Sequence, residues 1–226
     1  MKNSENWNKF ISNKIPSSIE TQPIIYKFIK KNDEIIDIGC GFGKTTFDLY
    51  KKGYINICGI DVNKSGIRFA NKMSKELKLN LRPKFRVASA SCLPFKKESF
   101  DCVITQAFWT TIATSRERLK IIREIDRILK RGGIIYIADF MRTWHLYKYK
   151  NLYKKGIEKG YEKGTFEARN PSTGKFDYLA HHHTKNELLQ LIKVGGFDKI
   201  EHYQHRNFFT RSGNKINGCV LIARKT

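Results

Sequence analysis

The feature that most constrains the fold is a short apolar run followed at once by alternating glycines and a helical pattern. Residues 35–38 are apolar apart from Asp37, which is typical of a strand buried in a parallel sheet. Three glycines alternate over residues 39–43, and residues 44–49 begin a helix. Strand, glycine turn and helix open a doubly wound α/β sheet, in which the glycines let a ligand approach bare main chain beside the helix N-terminus.

The spacing of the glycines separates the ligands that such a loop can bind. A phosphate-binding P-loop, G-x-x-x-x-G-K-[ST], matches residues 43–45 but needs a glycine where Ile38 stands. A dinucleotide-binding loop, G-x-G-x-x-G, fails at Lys44. The chain has D-x-G-x-G-x-G instead, and this loop alone leaves another Rossmann ligand or a purely structural turn open.

The second strand is predicted over residues 55–60 and ends at Asp61, about 20 residues after the glycine loop. A carboxylate there can accept hydrogen bonds from both hydroxyls of a ribose, more strongly than a neutral group would. Val62 is placed to lie against a base, and Asn63 is predicted to cap the next helix. The alternative is an acidic residue that only favours a helix N-terminus.

Further stretches carry a family resemblance. Residues 93–95 read L-P-F, residues 99–103 read S-F-D-C-V, and L-K-R-G-G over residues 129–133 precedes an apolar strand. Together with D-x-G-x-G-x-G, these motifs of residues 33–140 resemble the class I S-adenosylmethionine (SAM)-dependent methyltransferases, and among them the type 11 group related to ubiquinone/menaquinone methyltransferases. The resemblance implies SAM as the cofactor and an α/β fold: a Rossmann-like, doubly wound, mostly parallel seven-stranded sheet with an antiparallel C-terminal hairpin.

The resemblance also assigns cofactor contacts. The methionine portion is expected beside the glycine loop and Asp37, the ribose on Asp61, and the adenine near residues 89–90. The predicted cofactor contacts are Asp37, Gly39, Cys40, Gly41, Gly43, Asp61, Val62, Ser89, Ala90 and Gln106. Ser89 stands where the family has an aspartate that bonds the adenine amino group, and a serine accepts that bond without charge and with a shorter reach.

The whole chain, residues 1–226, is predicted to form a single methyltransferase domain with two additions. Residues 1–33 are expected to form two helices, one ending at Pro16 and one over residues 21–31, which either make a lid over the cofactor or cover an edge of the sheet. Residues 141–180 mix aromatic side chains with lysines and arginines. This insertion either lies over the acceptor, where aromatics and cations suit rings and anions, or is a solvated, partly helical connection.

Candidate catalytic residues lie at the end of the insertion. Tyr178, His182 and His183 precede a helix that Thr184 and Glu187 are predicted to cap. A histidine with its ordinary pKa of ~6.5 suits a general base or a group that orients the acceptor; ordinary packing is the alternative. A metal is not predicted, because successive strand side chains point to opposite faces and the five cysteines include no C-x-x-C pair.

The net charge of +22 comes from 43 Lys and Arg residues against 21 Asp and Glu residues. Such a charge attracts nucleic acid or phosphorylated metabolites, although an AT-rich genome biases composition in the same direction. No apolar run approaches the ~20 residues that span a bilayer, and the first six residues lack the apolar core of a signal peptide. A cytoplasmic protein without membrane association is therefore expected.

The sequence predicts an enzyme that transfers a methyl group from SAM to a small metabolite through a nitrogen or oxygen nucleophile, with an anionic or aromatic acceptor. Two alternatives stay open. One is a methyltransferase directed to RNA, such as tRNA, or to another polyanion. The other is a SAM-binding module without turnover. The oligomeric state does not follow from the sequence.

Overall fold

A seven-stranded sheet forms the centre of the computed structural model, which describes residues 7–8, 10, 19–77, 84–210 and 213–226. The strands of this sheet are β1 (Ile35–Ile38), β2 (Ile57–Asp61), β3 (Phe85–Val87), β4 (Phe100–Gln106), β5 (Leu129–Phe140), β8 (Lys199–Phe209) and β9 (Lys215–Arg224). The helices are α1 (Lys44–Lys51), α2 (Lys64–Glu76), α3 (Ser115–Ile128), α4 (Tyr147–Glu158) and α5 (Lys185–Val194). A separate two-stranded sheet pairs β6 (Thr165–Arg169) with β7 (Phe176–His181).

The seven strands lie in the order β3-β2-β1-β4-β5-β9-β8. Neighbours from β3 to β5 are parallel, and β9 runs antiparallel to both β5 and β8. This architecture confirms the predicted Rossmann-like α/β fold with its C-terminal hairpin.

Both faces of the sheet are buried, as the nearly continuous apolar strands require. On one face, Ile36 and Val103 belong to a cluster that includes Ile122 of α3 and Leu188 of α5. On the other face, Ile35 belongs to a cluster with apolar residues of the N-terminal segment, α1 and α4. The strand register also matters for function. Ile38 pairs with both Ile60 and Thr105, so the residues that follow them emerge together at one edge of the sheet.

The strand predicted from the apolar run 134–139 is longer than expected. β5 begins at Leu129, which pairs with Phe100, before the register shifts and Ile134 pairs with Cys102. The irregular stretch between these pairs contains Gly132, whose φ of 74° only glycine adopts readily. The glycines therefore interrupt the ladder without ending the strand.

The prediction of a helix over residues 21–31 is wrong. The structure has only a short 3-10 helix, Pro23–Lys27, although Ile25 and Ile29 are buried as the pattern indicates. A local turn ends it, because Asp33 Oδ2 accepts a hydrogen bond from the Lys30 N–H at 2.8 Å and the Asp33 N–H bonds back to the Lys30 carbonyl. The preceding helix was predicted to end at Pro16, and most of it lies outside the described residues.

The insertion is more ordered than a solvated connection. Helix α4 is followed by the β6–β7 hairpin, which the sequence pattern did not indicate. Tyr149 and Tyr153 of α4 are buried together with Phe166 of β6 in the second face of the core. The insertion therefore packs onto the same domain as the sheet, at the end where the predicted site lies.

Candidate functional site

A deep cleft opens at the carboxyl ends of β1, β2 and β4, where ligands bind in doubly wound sheets. Its volume, including the open mouth, is about 1030 Å³. Of the predicted cofactor contacts, seven line it: Gly39, Gly41, Asp61, Val62, Ser89, Ala90 and Gln106. Three strands thus bring most of the predicted residues to one place.

The glycine loop presents bare main chain to this cleft. Gly39 and Gly41 have φ values of 78° and 54°, in the left-handed region that side chains disfavour. A Cβ on Gly39 would lie 2.6 Å from Cδ2 of Phe108, so the ring after β4 occupies the space beside the loop. The loop is therefore shaped both for the turn and for close approach of a ligand.

Asp61 is the carboxylate that organises the cleft. Its Oδ2 accepts a hydrogen bond from the Gly41 N–H at 2.8 Å, and its Oδ1 accepts one from the Asn63 N–H at 2.7 Å. Burial raises the pKa of Asp61, while these backbone donors act in the opposite sense. One carboxylate thus holds the glycine loop and the start of α2 in the positions that a ribose would meet.

Three of the predicted contacts, Asp37, Cys40 and Gly43, do not line the cleft. Asp37 is buried in β1, and its Oδ2 accepts a hydrogen bond from Thr46 Oγ1 at 2.8 Å. Cys40 is also buried and packs under Gly59, and Gly43 is the N-cap of α1. These three residues help to hold the glycine loop in place without lining the cleft, and their direct contact with the cofactor stays a prediction.

Replacing Asp37 with asparagine should stabilise the fold more at pH 8 than at pH 5. Burial, followed by the nearby charge of Asp61, raises the pKa of Asp37 to about 7. The folded state therefore keeps a proton that the unfolded state loses near pH 4, so this group favours unfolding as the pH rises between these values. Asparagine has no such proton. Urea unfolding measures the difference in unfolding free energy between Asp37→Asn and wild type. This difference should change in favour of the variant by about 1 kcal/mol or more from pH 5 to pH 8.

The control is Asp48→Asn on the exposed side of α1, measured at the same two pH values. A pH-independent difference for Asp37→Asn would show that the buried carboxyl titrates normally.

The loop after β4 forms the inner wall of the cleft. Ala107 has a φ of 49°, a strained value for a residue other than glycine, and such strain clusters at functional sites. Asp139, at the end of β5, holds the next turn in place by accepting a hydrogen bond from the Thr110 N–H at 3.2 Å. Burial raises the pKa of Asp139 to about 7. The wall is therefore positioned by a buried carboxyl group that does not line the cleft.

The N-terminal segment reaches the cleft at two points. Gln106 Nε2 donates hydrogen bonds to the Ile19 carbonyl at 2.6 Å and to Thr45 Oγ1 at 3.2 Å. Trp7 lines the cleft and lies against the Tyr178 ring, with 4.6 Å between centroids. Of the described residues of this segment, Trp7 forms part of the cleft wall, and a role for the segment as a lid stays a prediction.

A second cavity, of about 1060 Å³ including its mouth, adjoins the cleft on the side of the insertion. The two share Thr110, Phe140 and Tyr178 as wall residues. Helix α4 and the β6–β7 hairpin supply most of the remaining wall, and His182 lies in it. Of the predicted catalytic residues, Tyr178 therefore lines both spaces and His182 lines the second one.

The ordinary histidine pKa assumed for a general base does not hold here. Burial lowers the pKa of His182 to about 3 and puts that of His183 well below its usual value. His183 lines neither cavity, and its buried Nε2 atom has no hydrogen-bond partner among the described residues. Both rings are therefore neutral near pH 7 and are weak bases, because the interior disfavours the imidazolium.

Several cleft residues were not predicted as site residues. These are chiefly Trp7, Asn63, Thr110, Thr111, Glu117 and Phe140. The rule that strand ends face the ligand would have found the two threonines after β4. Asn63 was predicted only as a helix cap, and it both caps α2 and lines the cleft, while Glu117 lines it from the first turn of α3.

In the described part of the chain, no group of three or more His, Cys, Asp or Glu side chains is arranged to hold a metal ion. None of the helices found there has both the length and the apolar character needed to cross a membrane.

Comparison with known proteins places this geometry in a family. The profile of a methyltransferase domain matches residues 29–196. The crystal structure of a SAM-dependent methyltransferase from Methanosarcina mazei superposes with a TM-score of 0.87 at 39% identity, covering 92% of this chain and 99% of that one.

Curated relatives are more distant. A demethylmenaquinone methyltransferase from Lactococcus lactis subsp. lactis is 29% identical over 84% of this chain and 78% of its own length. A phosphoethanolamine N-methyltransferase from Arabidopsis thaliana is 27% identical over 51% of this chain. The chain spans less than half the length of the first curated relatives it matches, and only 22% of the Arabidopsis protein.

Proposed function

The chain belongs to the methyltransferase domain family, and from this premise we propose that it transfers the methyl group of SAM to a small molecule through a nitrogen or oxygen nucleophile. The observation that carries the small-molecule acceptor is the concave cleft at the carboxyl edge of the sheet. The tilted, contacting rings of Trp7 and Tyr178 form part of its wall, and the loop after β4 forms another part.

Methyl transfer from SAM requires the protein mainly to position the two reactants. SAM supplies a methyl group activated by its sulfonium, and transfer is an in-line displacement in which the nucleophile approaches opposite the sulfur. In our proposal Asp61 orients the ribose, the glycine loop receives the methionine portion, and residues 106–112 border the acceptor. Because burial lowers the pKa of both histidines, they are weak bases at pH 7, so an acceptor that is already deprotonated, or that loses its proton to water, suits the site.

The names of two relatives support this choice of acceptor class. The Arabidopsis and Lactococcus proteins are named for phosphoethanolamine and demethylmenaquinone, both small molecules. The relatives also include a methyltransferase of Xenopus laevis named for a protein lysine and N-terminus, so the family alone does not decide the acceptor.

A crystal soaked with S-adenosylhomocysteine tests the proposal. We expect the ribose within hydrogen-bond distance of Asp61 and the sulfur facing the space beside Thr110 and Tyr178. A product that lies elsewhere, or whose sulfur faces an open surface, would contradict a small-molecule acceptor in this cleft.

The alternative of an RNA acceptor has one specific observation in its favour. Four exposed lysines of α4, Lys148, Lys150, Lys154 and Lys155, lie on the insertion near the second cavity. If they bind phosphates, the logarithm of the affinity for a tRNA transcript should fall linearly with the logarithm of the salt concentration, with a slope near −0.7 to −0.9 per phosphate contact. Binding that is absent, or insensitive to salt, would remove this alternative.

Trp7→Ala should speed the release of S-adenosylhomocysteine about two- to tenfold, because a contacting aromatic pair contributes about 0.5–1.5 kcal/mol beyond its buried area. Surface plasmon resonance measures the dissociation rate. The matched control is Trp144→Ala, since Trp144 is 47% exposed and does not line the cleft. Equal dissociation rates for Trp7→Ala and wild type would show that the N-terminal segment is not a lid.

A further inference from the structure

The second cavity has an aromatic interior. Phe140, Tyr149, Phe166 and Tyr178 contribute rings to its wall, and His182 lies among them. The His182 ring is 4.9 Å from that of Phe166, edge to face, and 5.5 Å from that of Tyr149, nearly parallel. Such walls suit a flat aromatic body, because ring pairs prefer these offset and edge-to-face arrangements.

The tautomer of His182 follows from its neighbours. The Tyr153 hydroxyl accepts a hydrogen bond from the Thr143 N–H at 3.1 Å and lies 2.8 Å from Nδ1 of His182. Among the described residues, Nδ1 is the only acceptor recorded for the proton of this hydroxyl. Tyr153 therefore donates to Nδ1, and the proton of the neutral imidazole lies on Nε2, which becomes a donor.

The charge state of His182 agrees with this arrangement. Burial, followed by the neighbouring His181 and Arg142, lowers its pKa to about 3. The ring is thus uncharged at pH 7 and contributes one N–H group to a wall that holds charged side chains such as Lys148 and Arg169 as well as aromatic rings. An N–H donor in the wall of a cavity can pair with an oxygen on a bound molecule.

We infer that the second cavity binds the aromatic body of the methyl acceptor, and that Nε2 of His182 donates a hydrogen bond to an oxygen of that molecule. The inference rests on the proposed function. The shared walls Thr110, Phe140 and Tyr178 put the second cavity beside the cleft, so a molecule held there has a short path to the methyl group. His182 is then a positioning group for the acceptor and not its base.

The test uses two aromatic probes of the same shape, 2-naphthol and naphthalene, added to protein saturated with S-adenosylhomocysteine. Nitrogen NMR of the histidine rings should show His182 with its proton on Nε2, and 2-naphthol should shift that resonance. The dissociation constant of 2-naphthol should rise about three- to tenfold in His182→Phe, the range expected for one hydrogen bond. His182→Gln, which keeps a donor at a similar reach, should restore much of the affinity.

Naphthalene should bind all three proteins equally, since it has no oxygen to accept the bond. Equal affinity of 2-naphthol for wild type and His182→Phe, or no binding of either probe, would overturn the inference. Binding of S-adenosylhomocysteine to wild type is measured first. If it fails, the proposed function fails; if it succeeds and 2-naphthol ignores His182, only the acceptor site is refuted.

Discussion

Replacing Asp61 with alanine is expected to weaken the binding of S-adenosylhomocysteine by about 1.5–3 kcal/mol, roughly 10- to 150-fold in Kd. The reason is that a ribose in the cleft would lose a charged acceptor for its hydroxyls, and bonds to charged groups are the stronger class. Isothermal titration calorimetry at constant pH and salt measures the change. Unchanged affinity would remove Asp61 from the cofactor site.

Asp61 has a second role that must be separated from the first. It also accepts the N–H groups of Gly41 and Asn63, so alanine also releases the glycine loop. A cycle with the 2′,3′-dideoxy analogue of S-adenosylhomocysteine isolates the ribose contact. Wild type should prefer the normal ligand strongly, and Asp61→Ala should bind the two ligands with nearly equal affinity. If the variant keeps the full preference, its weaker binding comes from the loop alone.

Asn63→Ala provides a matched control for the loop and helix. The Asn63 side chain caps α2 by accepting the Gly66 N–H at 3.0 Å, and its loss should cost about 1 kcal/mol of stability. The carboxylate of Asp61 remains in this variant. It should therefore keep the preference for the normal ligand over the dideoxy analogue, even though the N-terminus of α2 is less stable.

The fold was predictable because it depends on local patterns that the sequence states directly. Apolar strands ending at Ile38 and Ile60, with a glycine loop between the first strand and its helix, already imply a parallel sheet whose carboxyl edge holds the ligand. The same rule placed Asp61 and Gln106 in the cleft. Residues that reach a site from the ends of neighbouring strands are thus the ones that sequence reasoning finds best.

The contacts that the sequence did not reveal are those made between distant segments. Trp7 meets Tyr178 across 171 positions of the chain, and no periodicity encodes that pair. The histidine row is a second case. From the sequence alone, His182 is expected to have the ordinary histidine pKa. Burial in the folded protein strongly lowers that pKa, and burial depends on tertiary contacts. Asp139 is a third, since only the fold shows that it holds the turn at Thr110.

The close approach of α4 to β6 is another contact of this kind, and it carries the second large prediction. Gly156→Ala should lower the free energy of unfolding by about 1–3 kcal/mol. A Cβ at this position would lie 2.0 Å from the Thr165 carbonyl oxygen and 3.1 Å from its carbon, so the helix or the hairpin must move. Both atoms are main chain and cannot rotate away. Urea unfolding measures the loss.

The sign of this prediction tests packing against helix propensity. In an exposed helix, glycine to alanine is favourable by about 1 kcal/mol, and Gly156 lies within helix α4. A gain in stability would therefore show that α4 and β6 are not in contact as described. Lys155→Ala, at the exposed neighbouring position, is the control and should change stability by no more than about 0.5 kcal/mol. Because α4 and β6 wall the second cavity while Asp61 lies in the cleft, Gly156→Ala should weaken 2-naphthol binding and leave S-adenosylhomocysteine affinity nearly unchanged.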